Sequence, residues 1–341
     1  MSMILDGSNG VTFNDSSLQG AAASPYGLKN RIINGDMRID QRSAGTSVST
    51  SSTGTQTYAS LDRWAYIVSQ ASKFTIQQNA GSVTPPTGVT NYLGITSLSS
   101  YTVGTSDYFN VNQIIEGFNI ADLGWGTANA KTITISFWVR SSLTGTFGGS
   151  LRNSAIDRSY PFSYTISAAN TWEQKSITVA GDTTGTWLTN NGHGIQLAFS
   201  LGMGSTYSAT ANAWAGGNYV SATGATSVVG TNGATFYITG VQLEIGSTAT
   251  PFERRMYGQE LNNCFRYYYK YPGSPNIHGM LYSSGKYIGT VFFPVTMRTT
   301  PTIADLTGNY NTIENVGVSG MYMMRLADNT YLTTYSASAE L

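Results

Sequence analysis

Apolar residues in this chain recur at every second position over long stretches. The clearest run is 131–140, KTITISFWVR, where Ile133, Ile135, Phe137 and Val139 fall on one side and Thr134, Ser136, Trp138 and Arg140 on the other. Successive side chains leave a β-strand on opposite faces, so a period of two is that of a strand with one face in a core. The same alternation returns at Ile177 and Val179, and again at Ile195, Leu197, Phe199 and Leu201. It returns a last time at Phe236, Ile238, Val241, Leu243 and Ile245, where Gly240 breaks the phase as a β-bulge would. Earlier strands are expected at 63–69 and 73–78. Clusters of Gly, Ser, Thr and Asn separate these runs and read as loops. Short strands punctuated in this way predict an all-β fold, an antiparallel jelly-roll sandwich over residues 31–253.

The flanks differ. Residues 1–30 carry the turn signals Asp6-Gly7 and Asn9-Gly10 and an Ala/Ser/Pro stretch, and they hold too little apolar material for a core. An attachment segment that needs a partner fits them better. Residues 254–341 open with RRMYGQELNNCFRYYYKY, where Met256, Glu260, Leu261, Cys264 and Phe265 allow one short amphipathic helix before a Tyr-rich strand. Further strands are expected at 286–297, 302–305 and 320–326, which together make a small C-terminal β domain.

Composition excludes several functions. Charged residues are 11% of the 341, far below the ~25% of an ordinary soluble domain. The 18 Lys and Arg balance the 18 Asp and Glu, which removes the main attraction to nucleic acid and leaves no basic stripe for anionic lipid. Disorder is excluded as well, because 40% of the chain is hydrophobic and 12% aromatic. No run of ~18 apolar residues offers a membrane-spanning helix. The opening MSMILDGSNG lacks the basic and apolar regions of a signal peptide, so synthesis in the cytoplasm is expected. The single Cys264 has no intrachain disulfide partner and reads as a buried, inert thiol beside Leu261.

Residues able to carry chemistry are few. The two histidines, His193 in NNGHG and His278 in PNIHG, sit in turn-like sequence and read as solvated loop residues. No GxSxG accompanies them, and no zinc-type Cys/His spacing or phosphate-binding glycine loop exists. Asp107, Glu116, Asp122, Asp157, Glu173 and Asp182 lie in or beside expected loops, but their spacing singles out no glycosidase pair. No catalytic residue, metal ligand or cofactor site is therefore assigned. Aromatic residues carry more information. Trp125, Tyr160, Trp172, Trp187, Tyr207, Trp214 and Tyr219 all fall at strand edges or in Gly/Ser/Asn loops. Sugars stack their apolar faces on such rings while amides and hydroxyls take their OH groups, so these seven are candidate carbohydrate contacts. The alternative is that the same rings cap the sandwich or pack between subunits.

Two stretches carry a resemblance. The expected sandwich opens with NRIINGDMRIDQR at 30–42 and LDRW at 61–64, and closes with FYITGVQLEIGSTATPFERR at 236–255. This pairing resembles the jelly roll of family-4-type carbohydrate-binding modules, and its particular wording is similar to tail-fibre and other virion proteins of tailed bacteriophages. The opening ILDGSNGVTFNDSSLQGAAASP and the later ELNNCFRYYYKY and FPVTMRTTPTI resemble segments of phage structural proteins. Met37-Arg38 and Thr239-Gly240 stand where the modules carry Phe-Glu and Asp-Asp. Those acids help hold a structural calcium in many modules, so none is expected at that place here.

The resemblance implies a non-enzymatic fibre on the exterior of a virion, commonly a homotrimer. It would join other tail or capsid proteins through residues 1–30 and recognise host cell-surface polysaccharide or lipopolysaccharide. Neither nucleic-acid binding nor membrane insertion is expected. A purely structural capsid-decorating fibre or tail adaptor is the first alternative, and a glycan depolymerase is the second. A free-standing bacterial lectin fits the sequence less well.

Overall fold

The computed structural model describes residues 4–6, 10–12, 18–19, 29–271, 276–278, 280–283, 285–308, 312–325 and 330–341. Between residues 48 and 245 the chain builds the sandwich. Its strands are β1 (Val48–Ser49), β2 (Ala65–Val68), β3 (Phe74–Gln78), β4 (Leu93–Ser97), β5 (Tyr108–Glu116) and β6 (Ile133–Ser141), followed by β7 (Gly145–Arg152), β8 (Arg158–Ile166), β9 (Glu173–Val179), β10 (His193–Met203), β11 (Ala215–Gly216) and β12 (Thr235–Ile245). One six-stranded sheet runs β11-β8-β7-β10-β5-β2 and the other β9-β6-β12-β4-β3-β1. The chain crosses repeatedly between the two sheets, as a jelly roll does, and the pairings within both are antiparallel.

The period-two residues meet in the space between the sheets. Ile133, Ile135, Phe137 and Val139 of β6 are fully buried there with Ile195, Leu197, Phe199 and Leu201 of β10 and Phe236, Ile238 and Val241 of β12. The phase break in β12 is a bulge: its register against β6 shifts between Thr239 and Gln242, and Gly240 takes φ +61°. Without the extra residue Val241 and Leu243 would turn out of the core.

The helix α1 (Tyr257–Phe265) follows, with Glu260 and Cys264 on its buried face. Burial raises the Cys264 thiol well above its ordinary range, which leaves it protonated and unreactive. The C-terminal strands are β13 (Tyr268–Lys270), β14 (Asn276–His278), β15 (Met280–Ser283), β16 (Lys286–Phe292), β17 (Thr302–Gly308), β18 (Thr312–Glu314), β19 (Gly320–Arg325) and β20 (Thr330–Ser338). They form two sheets, in which β20 pairs with β13, β14 and β17, and β16 lies between β15 and β19. Phe293, Met297, Met321, Met323 and Tyr335 make a second core.

This region is fixed to the sandwich by buried charge. Glu340 takes both Arg42 (2.8 Å) and Arg63, and the Arg63 guanidinium lies over the Tyr267 ring at 3.6 Å. Glu116, at the end of β5, accepts from Arg266 and from the Tyr267 hydroxyl at 2.6 Å. Arg255 joins Glu260 of the helix to the first residues of the sandwich by donating to Ile32 O. Within the first 28 residues, Ile4–Asp6, Gly10–Thr12 and Leu18–Gln19 pair as a three-stranded sheet. The expectation that residues 1–30 attach the chain to a particle falls mostly outside the described residues.

Candidate functional site

Strands β5, β10 and β7 send their apolar residues inward and their polar residues to the outer face of the first sheet. The outward set includes Asn110 and Asn112 of β5, Gln196 and Ser200 of β10, and Ser150 and Arg152 of β7. These residues are nonetheless buried, because the segment 204–226 folds back over them. Ser208–Ala209 and Ser221–Ala222 pair in parallel within that cover. Asn212 N donates to Pro161 O at 2.7 Å, Gly217 N to Asp157 O at 2.8 Å and Thr226 N to Thr146 O at 2.7 Å, which tie the cover to the sheet. Its approach is so close that a Cβ on Gly148 would strike Ser221 and sit 3.0 Å from Ala222 N. Only glycine fits there.

The cover leaves a pocket of about 330 Å³. That is at the small end of the ~300–1,000 Å³ range of ligand pockets. Its floor is the sheet, with Asn110, Arg152 and Gln196. Gly54 and Gln56 approach from the loop before β2, and Tyr207, Asn218 and Val220 come from the cover. Tyr108 and Tyr207 meet edge to face with their centroids 5.2 Å apart. The amides are joined in one network. Gln196 Nε2 donates to Asn112 Oδ1 at 2.9 Å and to Gln56 Oε1 at 3.3 Å, and Asn112 Nδ2 donates to Asn110 Oδ1 at 3.0 Å. Arg152 donates to Gln196 Oε1 and to Asn218 Oδ1. Such a network sets each amide in one orientation before any ligand arrives.

His193 lines the same pocket. It begins β10 and is partly buried, not a solvated loop residue as the sequence suggested, because the β5–β10 pairing carries it onto the sheet. Burial, with the charge of Arg152 beside it, holds its pKa down to about 4, and its Nε2 has no hydrogen-bond partner. At the rim, Ile156 adopts φ +52° with its side chain 45% exposed. A β-branched residue in that region is strained. The turn is held by the Asn153 side chain, which accepts from the backbone N–H groups of Asp157 and Arg158.

Of the seven aromatic candidates, Tyr207 lines this pocket. Trp125, Tyr160 and Trp187 are buried, at 6%, 7% and 7% exposure, and with Trp214 they form an edge-to-face cluster. The three indole N–H groups of that cluster donate to the carbonyls of Lys131, Thr184 and Ala180. Burial and mutual packing give these rings the structural role that the sequence left open as the alternative. Trp172 packs on Tyr92 at 5.5 Å and donates to Thr84 O, away from the pocket. Tyr219 sits in the cover, its N–H on Ser159 Oγ at 3.4 Å.

Each of the six loop carboxylates is engaged by a structural donor. Glu116 is bound by Arg266, Asp122 by Arg31 and Asp157 by Asn153. Asp182 takes Arg158 through two bonds, at 2.8 and 2.7 Å, and Glu173 takes Lys175. Burial pushes the Asp107 pKa up, but hydrogen bonds from Ser69, Gly104 and Tyr101 outweigh it and hold the carboxyl below its ordinary range. Among the described residues, no group of three or more His, Cys, Asp or Glu is placed to hold a metal. Where the carbohydrate-binding modules carry acids, Arg38 forms an ion pair with Asp36, and the Thr239 hydroxyl donates to Asn91 O.

Reasoning from sequence missed Tyr108, Asn110, Arg152, Gln196 and Asn218. The available signal was the amide character of the polar alternates in β5 and β10, since positions facing only water have no need of side-chain amides.

Comparison with known proteins yields little. No family model matches the chain, and no curated protein does. Among solved structures, the enzymatically active domain of tailspike protein 4 from bacteriophage CBA120 is 13% identical with a TM-score of 0.33, the match covering 67% of this chain. The chain spans 22% of that tailspike's length. A CBM4 structure is 15% identical over 53% of this chain and 87% of its own, with a TM-score of 0.29. A family 11 carbohydrate-binding module from Clostridium thermocellum, solved with a β-1,3-1,4-mixed-linked tetrasaccharide, is 12% identical over 55% of this chain and 91% of its own, with a TM-score of 0.28. Likenesses this slight do not bear on what the chain binds.

Proposed function

We propose that this chain is a non-enzymatic saccharide-binding protein, and that the pocket under the 204–226 cover is its binding site. The observation that carries this reading is the pre-set amide network of Gln56, Asn110, Asn112, Gln196 and Asn218, in a pocket walled by Tyr108 and Tyr207. Amide groups donate and accept at fixed positions, as sugar hydroxyls require, and the tyrosine pair offers apolar edges for the ring carbons. A non-catalytic role agrees with the engagement of all six loop carboxylates by structural donors. The virion-fibre setting rests on the sequence resemblance, with residues 1–30 docking to the particle and a host surface glycan as ligand. Assembly as a homotrimer is supported by apolar side chains left exposed on the C-terminal region, Met280 at 80%, Leu281 at 62% and Phe292 at 77%. Coupled sites in a trimer would raise weak single-site affinity through effective concentration.

A saccharide array probed with the purified chain and with its Tyr207→Ala and Gln196→Ala variants tests the site. Binding to some members, lost in both variants while both stay folded, is expected. Binding that survives both substitutions would move the site elsewhere. Immunogold labelling of phage particles with antibody to residues 258–341 tests the setting, and tail label displaced by host polysaccharide is the expected result.

A further inference from the structure

We infer that the saccharide taken by this pocket is acidic, and that Arg152 receives a carboxylate carried by the sugar. The inference rests on the reading of the pocket as a saccharide site. Arg63 at 1% and Arg152 at 6% are the most deeply buried arginines of the described residues. Arg63 has its carboxylate in Glu340. Of the partly buried arginines, Arg255 and Arg158 have theirs in Glu260 and Asp182, and Arg140 and Arg298 donate to backbone carbonyls instead. Arg152 has neither. Its two terminal nitrogens meet only the neutral amide oxygens of Gln196 and Asn218, its Nε has no partner, and no acid forms an ion pair with it among the described residues.

A guanidinium offers five N–H donors in a rigid plane, so two amide acceptors leave it unsaturated. Burying such a cation without a counter-charge is strongly unfavourable. The cost is visible in its pKa, which burial alone lowers to about 10, while the Arg63 pKa is raised by Glu340. It remains charged at neutral pH. The pocket lining contains Arg152 and His193 and neither Asp nor Glu. His193, its pKa held down to about 4, is neutral at pH 7, so Arg152 is the charged side chain of the lining, in a chain whose net charge is zero. An anionic ligand group supplies what the fold withholds. A planar carboxylate on a pyranose ring matches the fork geometry, and the amides on either side of Arg152 are left to the ring hydroxyls.

The test pairs oligosaccharides that contain uronic or ulosonic acids with their carboxyl-reduced neutral counterparts, and titrates each against the full chain by calorimetry. At least one acidic member is expected to bind, with its reduced counterpart weaker by about tenfold to a hundredfold, the range of a lost charge-assisted hydrogen bond. Arg152→Gln should lower affinity for the acidic member by the same factor, and Arg152→Lys by less. The comparison of acidic with reduced sugar uses the unaltered chain, so it stands even if the variants fail to fold. Equal binding of acidic and reduced sugars would overturn this inference and leave the saccharide reading in place. Binding of neither would overturn both.

Discussion

Two titratable groups, the partly buried His193 and the fully buried Asp62, should pull the pH dependence of stability in opposite directions, so that removing either unmasks the other. Burial, with Arg152 alongside, holds the His193 pKa at about 4 against 6.5 for a free imidazole. Between those values the unfolded chain carries a proton that the native chain lacks. The contribution of His193 to stability is therefore complete above pH 6.5 and is lost as pH falls towards 4. Asp62 is fully buried, and desolvation raises its carboxyl from 3.8 to about 7, against the opposing pull of Arg42 and the hydrogen bonds from Gln41. Here the native chain holds the extra proton, so the contribution is complete below pH 3.8 and is lost as pH rises through 7. Each slope is about 1.4 kcal/mol per pH unit at most, and the signs are opposite. From pH 4.5 to 6.5 they nearly cancel, and the unaltered chain should show a flat unfolding free energy. The carboxylates with lowered values, Asp107, Glu173 and Asp182, lose their contributions below this window. His193→Gln should leave a stability that falls by up to about 3 kcal/mol across the two units, and Asp62→Asn one that rises by a similar amount. Urea unfolding followed by tryptophan fluorescence at five pH values measures both. Variants that keep the flat profile of the parent would refute the burial argument for these groups.

Three further predictions concern the frame. Gly148→Leu, a change at a residue that does not line the pocket, should lift the cover, lower stability by about 1–3 kcal/mol and abolish saccharide binding; hydrogen exchange of residues 204–222 would report the release. Glu340→Ala leaves Arg42 and Arg63 without their shared counter-ion and should cost about 3–5 kcal/mol by denaturant unfolding, while Arg63→Met with Glu340→Leu should recover much of it. Gly240→Val forces a β-branched residue to φ +61° and brings a side chain toward Trp138, so a loss of at least about 1–2 kcal/mol in thermal unfolding is expected.

Several strands were legible in the sequence because they carry their burial pattern within a few residues, but Leu93–Ser97, Tyr108–Glu116, Gly145–Arg152 and Arg158–Ile166 were not among those expected. Ile133 to Val139 needed no distant partner to be placed on one face, and Gly240 announced its bulge by breaking a local phase. The pocket was not legible, for two physical reasons. Its residues run from Gly54 to Val220 and meet through the β5–β10 and β7–β10 pairings and through the approach of the loop before β2 and of the cover, none of which a local pattern encodes. The polar residues on the outer face of β5, β7 and β10 are buried under the 204–226 cover, which no local pattern announces. The tryptophans misled in the reverse sense. Trp125, Trp187 and Trp214 lie among loop-forming residues, but those loops turn inward and the indoles close on one another. Arg63 of LDRW shows the same limit, since its partner Glu340 lies at the far end of the chain.

The central claim is that the outer face of the first sheet, under its cover, holds a sugar through Arg152 and the amide network. The most direct measurement is a crystal structure of the full chain with an acidic oligosaccharide that it binds in the calorimetric panel. The account predicts sugar density between Tyr108, Tyr207 and Gln196, with a carboxylate on the Arg152 guanidinium. Density on the Trp172 face or on the C-terminal strands, with this pocket empty, would contradict it.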